Sequence, residues 1–82
     1  MPRLLLFGQL REYAETLHGA DIEAGATSMA ELLGWLNQHH PELGQALRRP
    51  GVRFAVDGGF ADAETAILPR SEVALMSPLS GG

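Results

Sequence analysis

Two glycines, Gly81 and Gly82, stand at the end of the 82-residue sequence. Neither carries a side chain, so the reactive group they offer is the Gly82 α-carboxylate. Lacking a Cβ, the pair can pass through a channel that excludes any other residue. A carboxylate is a poor electrophile, but adenylation turns it into an acyl donor, and a sulfur nucleophile then converts it to a thiocarboxylate. That group is anionic at neutral pH and nucleophilic in the manner of a thiolate. From Ser77 through Leu79 and Ser80 to the tip, the segment spans roughly 20 Å when extended, at about 3.3 Å per residue. Pro78 stiffens its base by fixing φ. A tail without chemistry is the competing reading of the same residues.

The side chains supply no rival set of nucleophile and base. Cysteine is absent, which removes disulfides, thiolate catalysis and thiolate metal ligation. The 6 basic residues are all arginine (Arg3, Arg11, Arg48, Arg49, Arg53 and Arg70), so Schiff-base chemistry is excluded as well. His39 and His40, with His18, invite a metal reading, but adjacent residues do not share a helix face, and no metal is expected. Glu12 and Glu15 have nothing local to desolvate them and read as a solvated face. Arg48 and Arg49 read as a solvated turn, with guidance of an acidic partner as the alternative. Trp35 flanks the core or touches a partner. Phe7, Phe60, Leu75 and Leu79 are candidates for an exposed apolar docking patch, with core packing as the alternative for each.

Composition bounds what the chain can serve. At 45% hydrophobic and 20% charged residues it reads as one ordinary globular domain. A core this small leaves little room for a deep cleft with its own cofactor. The formal net charge of −4 lacks the dense basic face that displaces counterions from phosphate, so no nucleic-acid partner is expected. The longest apolar run, residues 4–7, is far too short to span a bilayer, and residues 1–3 lack a signal-peptide pattern. A cytoplasmic location without a membrane partner is the expectation.

The elements that must position the tail follow from periodicity. The apolar run before Gly8 suits a buried strand. Leu10, Tyr13, Ala14 and Leu17 then fall on one helical face, predicting a helix over 9–18 that stops at Gly19. Residues 20–24 read as a weak edge strand. Ser28 and Glu31 are spaced as a capping box, with Met29, Leu32, Leu33 and Leu36 on one face behind them. This predicts a helix over 28–40, ended by Pro41. Leu43, Ala46 and Leu47 predict one more helical turn. Alternation of Val52, Phe54 and Val56 predicts a strand over 52–57, and Asp57-Gly58-Gly59 a tight turn into a brief strand at 60–61. Residues 66–68 read as a third short strand, and Glu72–Met76 as the last. One amphipathic helix covering one sheet face makes a two-layer α+β domain with a mixed sheet.

Three stretches in order resemble the molybdopterin synthase small subunit, the sulfur carrier called MoaD. They are Leu6-Phe7-Gly8-Gln9-Leu10-Arg11-Glu12, Thr27-Ser28-Met29-Ala30-Glu31-Leu32-Leu33, and the ending from Glu72-Val73 to Gly81-Gly82. The resemblance covers nearly the whole chain. It implies a ubiquitin-like β-grasp fold over 1–76, with a mixed sheet packed against one main helix and short extra helices, and a flexible tail over 77–82. First and last strands would lie side by side in parallel. It implies that the chain is not an enzyme alone and binds no cofactor. An E1-like adenylyltransferase would use ATP on Gly82, and a sulfurtransferase would supply sulfur. The tail, with Gly81 as the channel residue, would enter the synthase large subunit in a heterotetramer and give sulfur to cyclic pyranopterin monophosphate. Phe7 and Leu79 would be apolar contacts with partners.

The sequence departs from that family at Arg70-Ser71, where a Gly-Asp pair is usual, at Ser77, where a first proline is usual, and at Asp57, where asparagine is common. A thiamine-thiazole sulfur carrier is the related alternative, which the extra segment 41–49 disfavours because thiazole carriers are shorter. A β-grasp binding module or ubiquitin-like modifier is the alternative from another class.

Overall fold

The computed structural model describes residues 1–78. Its first strand, β1 (Arg3–Phe7), alternates as a half-buried strand must, with Leu4 and Leu6 buried and Arg3 and Phe7 exposed. Gly8, at φ +66°, turns the chain out of the strand. A short helix, α1 (Leu10–Tyr13), and a 3₁₀ turn (Glu15–Leu17) lead back to β2 (Ala20–Asp21) at the sheet edge. Then come α2 (Met29–His39), α3 (Pro41–Ala46), β3 (Arg53–Val56), β4 (Gly59–Ala61) and β5 (Glu72–Met76).

The five strands are ordered β2-β1-β5-β3-β4. The last strand is therefore the central one: β5 runs parallel to β1 over Arg3↔Glu72 to Phe7↔Met76, and antiparallel to β3 over Arg53↔Met76 to Val56↔Val73. The β3–β4 hairpin turns through Asp57 and Gly58, both with positive φ (51° and 86°), as a two-residue hairpin loop requires. Helix α2 lies over one face, its Met29, Leu32 and Leu36 buried in one cluster with Leu4, Leu6, Val73 and Leu75. Helix α3 buries Leu43 and Ala46 in the same cluster and approaches α2 closely at Gly44, where a Cβ would stand 2.5 Å from Asn37 Cα. A mixed sheet with its first and last strands parallel at the centre, gripped by one main helix, is the β-grasp fold that the resemblance implies.

The details correct the sequence reading in four places. The helix expected over 9–18 breaks at Ala14 (φ −156°, ψ 66°), because the Gly19 N–H must return to donate to the Leu4 carbonyl at 2.7 Å. An unbroken helix would carry the chain about 15 Å along its axis and past that partner. The edge strand expected over 20–24 pairs only at Ala20 and Asp21. The piece at 66–68 makes a single bridge, Ser28↔Ala66, rather than a strand. The capping box is shifted by one residue. The Ser28 hydroxyl accepts from the Glu31 N–H as expected, but the Glu31 carboxylate reaches back to the N–H and hydroxyl of Thr27, at 2.7 and 2.8 Å.

The Arg70-Ser71 turn also has a plain account. Neither residue adopts positive φ. The Ser71 hydroxyl is buried and accepts from the Leu68 N–H at 2.9 Å, while the Ser71 N–H donates to the Leu68 carbonyl at 3.0 Å. The serine side chain closes the turn that a glycine's backbone freedom would otherwise serve.

Candidate functional site

Met76 ends β5 between Phe7 on β1 and Arg53 on β3, so the next two residues leave the centre of the sheet flanked by the loops that follow β1 and precede β3. The Ser77 hydroxyl accepts a hydrogen bond from the Gln9 N–H at 3.1 Å and donates to the Phe7 carbonyl at 3.4 Å. A Cβ at Gly8 would fall on Ser77 Oγ. On the other side the Pro78 ring rests on Gly51, where a Cβ would stand 2.9 Å from Pro78 Cβ. Both glycines have positive φ, 66° and 88°, so each turn bends away while leaving space for the departing chain. Residues 79–82, which carry the expected thiocarboxylate at Gly82, the channel residues Gly81 and Ser80 and the contact residue Leu79, lie outside the described residues.

Beside this exit lies the sheet face turned away from α2. Strand alternation places Leu5, Ala74, Ala55 and Phe60 in one row across β1, β5, β3 and β4, and Phe7, Met76 and Arg53 in the next. Phe7 is 45% exposed and Phe60 79%. The Arg53 guanidinium carbon lies 5.9 Å from the Phe60 ring centroid, and the Phe7 ring meets His18 edge-on at 6.0 Å. Large apolar side chains left this open, with Arg53 at one margin and the Arg3–Glu72 row at the other, have the make-up of a docking surface.

The structure sorts the expected contact residues. Phe7 and Phe60 stand on the open face, within the two rows nearest the tail. Leu75 is corrected: it is fully buried beneath α2, so it is a core residue and offers no surface to a partner. The sign was present in the strand itself, since Leu75 shares its parity with Val73 and opposes the charged Glu72.

The remaining side chains of interest have structural employment. His18 Nδ1 accepts from the Leu6 N–H at 3.0 Å, continuing the edge pairing where β2 stops. His39 stacks on Trp35 with ring centroids 4.5 Å apart, and His40 tilts against the same ring at 5.9 Å. Arg49 donates to the Tyr13 hydroxyl at 2.7 Å and lies over that ring. Among the described residues no three His, Asp or Glu side chains gather as metal ligands. No helix among them is long and apolar enough to cross a membrane. The sequence reading missed the Ser77 contacts. Their signal was Gly8, a glycine directly after a strand that must run beside the strand ending just before Ser77.

The fold defines a ubiquitin-like β-grasp protein, with the chain leaving its central last strand at Ser77 and Pro78. Residues 4–82 match the ThiS family model, and the chain belongs to the ThiS family of ubiquitin-like sulfur carriers. A crystal structure of SAMP1 from Haloferax volcanii is similar over 99% of this chain and 98% of that one, with 25% identity and a TM-score of 0.72. A crystal structure of H. volcanii small archaeal modifier protein 1 shares the fold at 20% identity and a TM-score of 0.69, over 94% of this chain and 95% of that one. No curated protein matches the chain.

Proposed function

We propose that this chain carries sulfur in molybdopterin biosynthesis, as the small subunit of molybdopterin synthase. An E1-like adenylyltransferase joins the Gly82 carboxylate to AMP, releasing pyrophosphate from ATP. A sulfur nucleophile supplied by a sulfurtransferase displaces AMP and leaves the thiocarboxylate. The tail, with Gly81 admitting close passage, enters the large subunit, where the thiocarboxylate sulfur bonds to a carbon of cyclic pyranopterin monophosphate, and water then cleaves the acyl–sulfur bond, leaving sulfur on the pterin and a carboxylate on Gly82. The ATP belongs to the activating enzyme, and the chain itself needs no cofactor. The observation that carries this reading is the tail root. It leaves the central strand beside the exposed Phe7, at one end of an open apolar face that also holds Phe60.

The SAMP1 likeness favours a second reading, a ubiquitin-like modifier, in which the activated Gly82 carboxyl is joined to an amine of another protein. Intact-mass measurement after incubation with the E1-like enzyme, ATP and a sulfur donor tests both. The carrier reading expects one oxygen of the protein replaced by sulfur, and molybdopterin formed when large subunit and pterin precursor are added. A terminus that stays a plain carboxylate, or appears only in covalent conjugates, rejects it.

A further inference from the structure

The seat under Ser77 and Pro78 has a use beyond closing the fold. Residues that merely follow a strand need no side-chain anchor, yet here both sides of the exit are fitted to these two. On the β1 side, the Ser77 hydroxyl occupies the space that a Cβ at Gly8 would fill, accepts the Gln9 N–H and donates to the Phe7 carbonyl. On the β3 side, Gly51 yields to the Pro78 ring, whose fixed φ removes a further torsion. Gln9 opens α1 with a backbone amide that no helical carbonyl can satisfy, so the Ser77 oxygen takes up an orphan donor and ties the tail to a helix start.

We infer that Ser77 is a positioning residue: seated against Gly8 and held by the Gln9 amide, with Pro78 on Gly51 beside it, it fixes the direction in which the chain leaves the sheet, and so offers the activating enzyme a root that is already ordered. The inference rests on the carrier reading for its purpose and on the hydrogen bonds of Ser77 for its geometry. A tail root ordered before binding spares a partner the entropy of ordering it, so loss of the seat weakens productive engagement while the chemistry of the bound terminus is unchanged.

The test compares the full chain with Ser77→Ala, which removes the hydroxyl, and Ser77→Thr, which keeps it. Amide hydrogen exchange at Gln9 and pyrophosphate release by the E1-like enzyme with ATP are read on each. In Ser77→Ala the Gln9 amide exchanges about two- to tenfold faster, as one net hydrogen bond implies. The KM for the carrier rises by a similar factor with kcat unchanged, circular dichroism stays that of wild type, and Ser77→Thr recovers both readouts. Wild type and Ser77→Ala adenylated with the same KM overturn the seat and leave the carrier reading standing. A wild-type chain that is not adenylated counts against the carrier reading instead. The seat is then decided at Gln9 alone, where equal exchange in the two chains overturns it.

Discussion

Ser71 shows how one hydroxyl replaces a backbone conformation. Its side chain is 2% exposed and accepts the Leu68 N–H, so the turn before β5 is closed by a serine oxygen in place of a glycine's left-handed φ. Ser71→Ala removes the partner of that part-buried amide, which costs about 1 kcal/mol. Urea unfolding checks this: the midpoint is expected to fall while the slope stays constant, since the surface exposed on unfolding is the same. At this scale the sequence was legible where residue type alone decides and blind where parity decides. Phe7, Phe60 and Leu75 look alike as large apolar residues beside turns. Only the phase of strand alternation separates the two that face outward from the one that faces α2. Ser77 was legible as a stiff tail root and not as an anchored one, because its partners at Phe7, Gly8 and Gln9 lie some 70 residues away in the chain.

Among the elements, α2 was read from its ends inward and survives nearly unchanged, because a serine cap, a 3.6-residue apolar repeat and a following proline all agree. The segment before β2 shows the opposite. Its apolar repeat is as regular as that of α2, but pairing of Gly19 with Leu4 breaks it at Ala14. Periodicity reports which residues seek the core, and long-range pairing decides whether one helix can deliver them. The cap of α2 also carries a pH dependence. Hydrogen bonds from the Thr27 N–H first, and then from its hydroxyl, hold the Glu31 carboxyl below its ordinary value of 4.5. A carboxyl lowered by folding contributes stability above its unfolded value and loses it as pH falls through the folded one. Wild type is therefore expected to lose stability below about pH 4.5 more steeply than Glu31→Gln, whose amide oxygen still accepts but does not titrate. Thermal midpoints of both chains from pH 7 down to the acid limit check this, and parallel curves would exclude Glu31 as a source of acid sensitivity.

Across the whole molecule the two faces of one sheet divide the labour, and substitutions separate them. The face under α2 supplies the stability: Leu32 is 1% exposed within the core cluster, and Leu32→Ala is expected to cost about 2–5 kcal/mol, read as a large drop in unfolding midpoint. On the carrier reading, the opposite face supplies contact. Phe60 is 79% exposed, so Phe60→Ala is expected to shift the unfolding midpoint by an amount within measurement error. On the carrier reading, the same substitution lowers affinity for the large subunit by about tenfold or more, the range of a central aromatic contact at an interface. On the same reading, the chain's end has a third role. Gly81→Ala and Gly82→Ala are expected to leave the fold intact, because the core cluster is built from residues 4–75, and to slow sulfur delivery by adding a Cβ where that reading makes passage tight. Deleting Gly82 removes the group to be activated and is expected to abolish molybdopterin formation while circular dichroism stays that of wild type. Binding of the large subunit is the decisive companion measurement. A deletion variant that still binds but forms no product places the chemistry on the tail and the recognition on the sheet. A variant that still forms product removes Gly82 from the reaction, and with it the carrier assignment.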